Sequence, residues 1–423
     1  MKIVLVNTVC GQGSVGRITA DLYETVLRHD SRAVVAYGRG SAAKHIVSYK
    51  IGNQADFYRH VCRNFFLGES GFGSAGQTRK FLDFLEREKP DLLHLHNLHG
   101  FYLQIELLFE YIKKKELPVI WTFHDCWPFT GHCAYYDKNG CGLWQEGCFS
   151  CRYHASAYPY ALFKDNAAKG FVRKKRAFTG VKNLVIVTPS RWLADEVKKS
   201  FLKDYPVEVI PNGIDLGIFS PKAEQTSKER QGLEAGQTPE RAVHTVLGVA
   251  NIWEERKGLS FFVDLAKSLP ENYRIRLIGL SKRQKKVLQK EFPSERLLAE
   301  SRTESLAKLA EAYRQADVFV NPTLEDNFPT ANLEALACGT PVVTFQTGGS
   351  PETLGDSGMC GISVEKGNGR ALLAAVQEVC ETRQRAEASG KFGTIFCRKQ
   401  AEQFEKIGQY DKYFELYERN RKP

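Results

Sequence analysis

The strongest constraint on the fold of this chain is a rhythm. Short β-branched runs recur between helix-length segments: KIVLVN (2 to 7), AVVAYG (33 to 38), LLHLHN (92 to 97), VIWTFHD (119 to 125), LVIVTPS (184 to 190) and VEVIPNG (207 to 213). Strand and helix signals in alternation mean a parallel α/β architecture. The stretch KAEQTSKERQGLEAGQTPERAV (222 to 243) is polar, mixed in charge and without apolar periodicity, and reads as an exposed linker or loop. A second series follows with TVLGVA (245 to 250), RIRLIG (274 to 279), VFVNPT (318 to 323) and PVVTFQ (341 to 346), and FCRKQAEQFEKIGQYDKYFELYERN (396 to 420) has the pattern of a closing amphipathic helix.

A chain of 423 residues exceeds one ordinary core, so two domains of about 200 residues each are expected. The expected division is 1–205 with a Cys-rich insertion at 126–154, 206–395, and a C-terminal helical segment 396–423 packing back toward the first domain. Each domain should be a doubly wound, Rossmann-like sheet, the two facing across a cleft, and open α/β sheets bind ligands at the carboxyl ends of their strands.

Composition is globular, with 43% hydrophobic and 26% charged residues, and no apolar run comes near the roughly 20 residues that a membrane span needs. MKIVLVNTVCG lacks the longer apolar region and cleavage site of a signal peptide and reads as a first buried strand in a cytoplasmic protein. The formal charge of +10 suits anionic partners. No nucleic-acid-binding signature is visible and the basic residues are spread along the chain, so nucleic acid is not an expected partner. FYRHVCRNFF (57 to 66) and FVRKKRAF (171 to 178) interleave aromatics with basic residues. That pattern fits a surface resting on the inner, anionic face of a membrane, and equally fits amphipathic helices with solvated basic faces.

The segment TLEDNFPTANLE (323 to 334) sets two carboxylates eight apart. VFVN ends a strand, Pro329 suits a first helical turn and Gly339 suits the position after the last, so a helix is expected from about 329 to 338. Asp326 then lies in the loop before the helix and Glu334 more than a turn inside, which excludes an adjacent acid and base by local spacing. Between them the N–H groups of Thr330 and its neighbours form an anion site. A nucleotide sugar would satisfy it, its hydroxyls donating to the carboxylates while the cations of WEERKG (253 to 258) offset its charge. The plain alternative is an acid on a helix dipole plus a solvated Glu.

A carboxylate, seven residues and a Glu followed by Ala, with RKG upstream, VIPNGID between the domains and GGSPE (348 to 352) downstream, resembles the GT-B glycosyltransferases, specifically the retaining family 4 enzymes. The motifs run in order over nearly the whole chain. GQGSVGRI (11 to 18), HLHN (94 to 97) and HDCWPFTGHCAY (124 to 135) most resemble the colanic acid and exopolysaccharide branch. The resemblance implies a retaining transferase of the hexosyl type, with a nucleoside-diphosphate sugar as donor and a glycan or lipid-diphosphate-linked acceptor. The acceptor would lie on the side of the first domain and the donor in the second.

Carried over by position, Glu334 would hold the donor ribose, Asp326 the sugar hydroxyls, and Arg256 and Lys257 the diphosphate. Asn327, Phe328, Pro329 and Thr330 would line the donor site. His124 matches a histidine thought to touch the donor sugar, and Gly13, Ser14 and Gly16 form a turn where backbone approaches phosphate or acceptor. His124, Asp326 and Lys257 are the expected catalytic residues. Two positions depart from the family: Asp326 stands where many members have Glu, and Asn251 where many have Arg. No D-x-D metal site is evident, so no catalytic metal is expected. The competing readings are a nucleotide-sugar epimerase of the same fold and a non-catalytic sugar-nucleotide or glycan-binding subunit. A nicotinamide oxidoreductase ranks lower, because GQGSVG satisfies G-x-G-x-x-G but no acidic residue closes AVVAYGRG to hold a ribose.

Five of 11 cysteines fall between 126 and 151 with spacing C-x6-C-x7-C-x6-C-x2-C. In a cytosolic chain that favours metal over disulfide, and Cys133, Cys141, Cys148 and Cys151 are expected to form a structural zinc site, with His132 and His154 as substitutes. Cys126 belongs to the strand beside His124, and the other cysteines are expected to serve as small apolar residues.

Overall fold

The structure, a computed structural model, describes residues 1–221, 243–385 and 389–421, so the expected linker lies outside the described residues except for Val243. The chain divides into two compact units, Met1–Gly213 with Ile407–Pro423, and Ile214–Lys406.

In the first unit the strands are β1 (Lys2–Val9), β2 (Arg32–Arg39), β3 (Ser48–Lys50), β4 (Leu92–Leu95), β5 (Val119–Thr122), β6 (Leu184–Thr188) and β7 (Val207–Val209). They form one sheet in the order β3-β2-β1-β4-β5-β6-β7, with every neighbouring pair parallel. Its helices are α1 (Gly13–Arg28), α2 (Gln54–Leu67), α3 (Ala75–Glu88), α4 (Ile105–Lys115), α5 (Ala167–Phe178) and α6 (Arg191–Lys198). In the second unit β8 (His244–Val249), β9 (Tyr273–Ile278), β10 (Leu297–Glu300), β11 (Val318–Asn321), β12 (Val342–Phe345) and β13 (Gly361–Val364) pair in parallel in the order β10-β9-β8-β11-β12-β13. Here the helices are α7 (Leu259–Ser268), α8 (Lys282–Glu291), α9 (Leu306–Arg314), α10 (Thr330–Ala337), α11 (Gly369–Arg385) and α12 (Thr394–Glu402), and α13 (Lys406–Asn420) closes the chain.

Side-chain alternation explains why both sheets are covered on both faces. In β1, Val4 and Val6 belong to one apolar cluster with Leu93, Leu95 and Trp121, whereas Ile3 and Leu5 belong to another with Leu92 and Ile120. A strand buried on both faces reads as a continuous apolar run, which is what KIVLV is. Both sheets reverse direction at their first strand, between β1 and β4 in one unit and between β8 and β11 in the other. At such a switch point successive loops diverge and leave a crevice at the strand ends.

The expected single helix at 396–420 is two helices, because its halves serve different cores. Cys397, Ala401 and Phe404 pack with Leu333 and Leu336 of the second unit, while Tyr410, Tyr413, Phe414 and Tyr417 pack with Leu22 and Ile120 of the first. At the break Ile214 N–H donates to Phe404 O at 2.8 Å, and Lys406 N–H donates to Ile214 O at 3.0 Å. Beyond it Tyr417 hydroxyl meets His94 Nδ1 at 2.6 Å, His94 Nε2 meets Thr122 Oγ1 at 2.8 Å, and Thr122 donates to Tyr413 hydroxyl at 3.2 Å. One neutral tautomer, protonated on Nε2, satisfies the whole row, and burial keeps His94 well below the usual histidine range.

The cysteine excursion corrects an expectation. Among the described residues no group of three or more His, Cys, Asp or Glu is gathered to hold a metal ion, so Cys133, Cys141, Cys148 and Cys151 do not make the expected zinc site. Packing organises the segment instead. Trp144 is buried against Phe129 and Tyr136, with ring centroids 5.0 and 4.9 Å away, and Tyr136 hydroxyl bonds Glu196. Buried Lys174 donates to Trp127 O at 2.7 Å and Thr130 O at 3.1 Å and lies 3.6 Å from the Trp127 ring centroid. Cys148 Sγ accepts from Gly131 N–H at 3.2 Å, and burial pushes its thiol up to about 11. Among the described residues, no helix is long and apolar enough to cross a membrane.

Candidate functional site

The switch point of the second unit gathers most of the expected donor residues. The loop leaving β8 ends in a short 3₁₀ turn, Glu255–Lys257, and the loop leaving β11 runs from Pro322 to Pro329. Gly258 lets them touch: its φ is +72° and an added Cβ would lie 2.2 Å from Pro322 O. Leu324 N–H then donates to Arg256 O at 2.7 Å, and Lys257 Nζ meets Asp326 Oδ2 at 2.6 Å. Asp326 Oδ1 accepts from Asn327 N–H at 2.9 Å. Arg256 bonds Glu254 at 2.9 Å and Glu325 O at 3.3 Å.

Helix α10 starts at Thr330, with Pro329 as its N-cap at φ −70° and no capping side chain. The first N–H groups of such a helix have no acceptor inside it, and an anion in front of them is favoured. The GGSPE turn closes on the same loop through Gly349 N–H to Asn327 O at 2.8 Å. A buried polar ladder holds the arrangement: Asn321 Nδ2 donates to Asn332 Oδ1 at 2.8 Å, Asn332 Nδ2 to Thr353 Oγ1 at 2.9 Å, and Thr353 to Ser350 O at 2.6 Å. Asn332→Ala strands the partners on both sides, and a loss of about 2 to 4 kcal/mol is expected. Chemical denaturation and hydrogen exchange over α10 measure it, and an unchanged variant would remove the ladder's role.

Two of the expected ligand residues are buried and have partners within the protein. Phe328 is buried edge-on against Phe404, with centroids 5.5 Å apart, so its side chain belongs to the core. Glu334 is also buried, and Tyr313 hydroxyl donates to its Oε2 at 2.9 Å. Sequence spacing gave no sign of that phenol, which sits on the neighbouring helix α9.

The remaining expected residues lie in the first unit. Gly13 opens α1 with φ +66° and has nothing within 4 Å of its missing Cβ, so backbone is exposed there. Gly16 serves packing, since an added Cβ would meet Val9 Cγ2 at 3.0 Å. Ser14 lies between them in the first turn of α1. His124 follows β5, and its Nε2 lies 3.0 Å from His96 Nδ1 with the two rings stacked at 5.3 Å. Only Nδ1 of His124 remains for another partner. Burial lowers His124 to about 4, so the ring is neutral. Its neighbour Asp125 accepts from Trp127 N–H at 2.9 Å and pairs with His99 at 2.7 Å. Burial acts to raise that carboxyl, but His99 and the hydrogen bonds outweigh it and hold it below the usual range. His96 and His99 were legible only as letters of HLHN and its surroundings. Strand periodicity puts His94 and His96 on one face of the sheet but does not say what they meet.

Two family models match the chain in tandem, "Glycosyltransferase Family 4" over residues 15–217 and "Glycosyl transferases group 1" over residues 243–382. The chain belongs to the GT-B glycosyltransferases. This glycosyltransferase is 25% identical over 392 residues to "Putative colanic acid biosynthesis glycosyl transferase WcaC" of Escherichia coli K12, covering 86% of this chain and 88% of that protein. It is 28% identical over 228 residues to a D-inositol 3-phosphate glycosyltransferase of Paenarthrobacter aurescens, covering 52% and 53% of the two chains. Its fold matches sucrose-phosphate synthase from Thermosynechococcus elongatus with a TM-score of 0.68 at 15% identity, over 99% of this chain and 98% of that one. It also matches Anabaena Alr3699/HepE in complex with UDP-glucose at 0.64 and 15% identity, over 99% of both.

Proposed function

We propose that this glycosyltransferase is a retaining enzyme of the hexosyl type. It would move a sugar from a nucleoside-diphosphate sugar to a glycan or lipid-linked acceptor in cell-surface or exopolysaccharide synthesis. The observation that carries the reading is the Lys257–Asp326 pair at 2.6 Å beside the start of α10, at the switch point of a nucleotide-binding type of sheet. The relation to WcaC and the UDP-glucose complex of Alr3699/HepE support the substrate classes.

In this reading the diphosphate sits before Thr330, with Lys257 and Arg256 as its cations. Lys257 has three N–H donors and spends one on Asp326, so it bridges carboxylate and phosphate and offsets their repulsion. Asp326 keeps lone pairs for sugar hydroxyls, and Glu334, which accepts from the Tyr313 hydroxyl, acts on the ribose. The C1–O bond to phosphate breaks as the acceptor oxygen bonds C1 on the same face, and the departing phosphate oxygen takes the acceptor's proton. Charge grows on the diphosphate during this step, which is where fixed cations and helix N–H groups lower the barrier. The enzyme would work at an anionic membrane surface on the cytoplasmic side, met by the basic aromatic segment of α2; the other expected segment does not offer such a surface, because Phe171, Lys174 and Phe178 of α5 are buried.

Thermal-shift titration with a panel of nucleoside-diphosphate sugars tests the donor class. A donor at one hundred times its Kd adds about 2.7 kcal/mol of stability. The anomeric configuration of the product, read by NMR, tests retention. A panel in which no nucleotide sugar raises the melting temperature would sink the reading.

A further inference from the structure

The first unit carries a cavity of about 530 Å³ for which the donor chemistry has no use. It is lined by Arg59, Arg63, Phe66 and Leu67 of α2 and by the Gly73–Gln77 turn into α3. Arg59 and Arg63 are four apart and leave the helix on one side. Arg63 uses Nε on Glu69 at 2.6 Å, and one Arg59 nitrogen lies 3.5 Å from Asp56, also on the wall, so each guanidinium keeps further N–H groups for an anion.

In that turn a donor is arranged by a buried ring. His60 Nε2 accepts from Gly73 N–H at 3.1 Å, which places the ring proton on Nδ1, and that proton goes to Ser74 Oγ at 2.9 Å. Ser74 therefore acts as acceptor toward His60 and keeps its own hydroxyl hydrogen. It makes no capping bond to α3, and Gly76 has open space where a side chain would stand. Beside the cavity, Phe66 stacks on Phe163 with centroids 5.1 Å apart, although the two are 52% and 69% exposed. Leu67 and Leu162 are exposed as well. An aromatic stack left in water next to paired arginines fits a ligand with a phosphate at one end and hydrocarbon at the other.

We propose that this cavity binds the phosphate end of a single phosphorylated lipid, the lipid-linked acceptor, with Phe66 and Phe163 against the first part of its chain. The assignment rests on the glycosyltransferase reading above. Arg59, Arg63 and the Ser74 hydroxyl hold the phosphate, and the acceptor's sugar end is left free to react.

Cys62 provides the test, because it lines the cavity and its thiol is exposed. Maleimide modification of Cys62 in the full chain, mapped by mass spectrometry, is followed with farnesyl diphosphate, farnesol, inorganic diphosphate or phosphatidylglycerol vesicles. Farnesyl diphosphate should slow modification at least tenfold where the other three slow it less than twofold. Arg59→Ala, whose side chain is 80% exposed and leaves Glu69 untouched, should abolish most of the protection. Equal protection by farnesol, by diphosphate, or by vesicles overturns the proposal in favour of an apolar, an anion or a bilayer contact respectively. Absence of protection, or protection that survives Arg59→Ala, overturns it too. Nucleotide-sugar thermal shifts on the same sample separate the two failures: a donor that still binds leaves the transferase reading standing without this cavity.

Discussion

Lys257→Ala should lower sugar transfer by about 100- to 1,000-fold and weaken both donor and free nucleoside diphosphate. The expectation follows from removing one fixed cation from a leaving diphosphate whose charge grows as the glycosidic bond breaks. Asp326→Asn should behave differently. It releases Lys257 from its 2.6 Å partner, so nucleoside diphosphate binding stays intact or tightens, while transfer falls because the sugar contact is lost. Since the two side chains touch, the double variant should be markedly non-additive. Glu334→Gln keeps an oxygen for Tyr313 but loses the charge, and should weaken donor and nucleoside diphosphate together. Calorimetric titration with nucleoside diphosphate, alongside donor turnover, separates these outcomes. If all three variants bind and turn over like the parent, the carboxylates and lysine are structural and the proposed chemistry has lost its support.

Acid should unfold the first unit selectively. His60, His124 and His132 are all buried there, and burial lowers each to about 4 from an ordinary value of 6.5. Between those values the unfolded chain binds more protons than the native one, so stability rises with pH across the window and is lost as pH falls from 6.5 toward 4. At pH 5 each histidine costs about 2 kcal/mol relative to pH 8, about 6 kcal/mol for the three. His94 and His96, also lowered by burial, act in the same direction. The second unit contains a single histidine, His244, and should change little by this route. Trp121, Trp127, Trp144 and Trp192 all lie in the first unit, so denaturation followed by tryptophan fluorescence reports mainly on it. A midpoint that is the same at pH 8 and pH 5 would contradict this account.

The inner strands were legible because burial on two faces demands continuous apolar runs. Three of the four sheet-edge strands, β3, β10 and β13, escaped notice. SYK and GISV are short and half solvated, and an edge strand needs only one covered side, so no continuous run marks it. Helix α10 was legible from Pro329 and Gly339, whose backbone demands are local. Pairings across the sequence were not. Lys257 meets Asp326 across 69 positions, and His96 meets His124 across 28, because the topology lays β8 against β11 and β4 against β5. The cysteine spacing misled for the same reason. Regular intervals along a chain do not by themselves gather thiols around one point, and among the described residues no such group is gathered to hold a metal.

The return of α13 to the first unit imposes an order on how this chain is made. Roughly 190 residues separate Gly213 from Ile407, which at ribosomal speeds is on the order of 10 to 40 seconds of synthesis. During that interval His94 and Thr122 wait for Tyr417 and Tyr413, and the α1 side of the first sheet lacks its last aromatic layer. The unit that begins first is therefore finished last. A polypeptide cut short before α13 would carry every strand of both sheets and still leave His94 and Thr122 without Tyr417 and Tyr413, so the amino-terminal half would be the part that proteases find open.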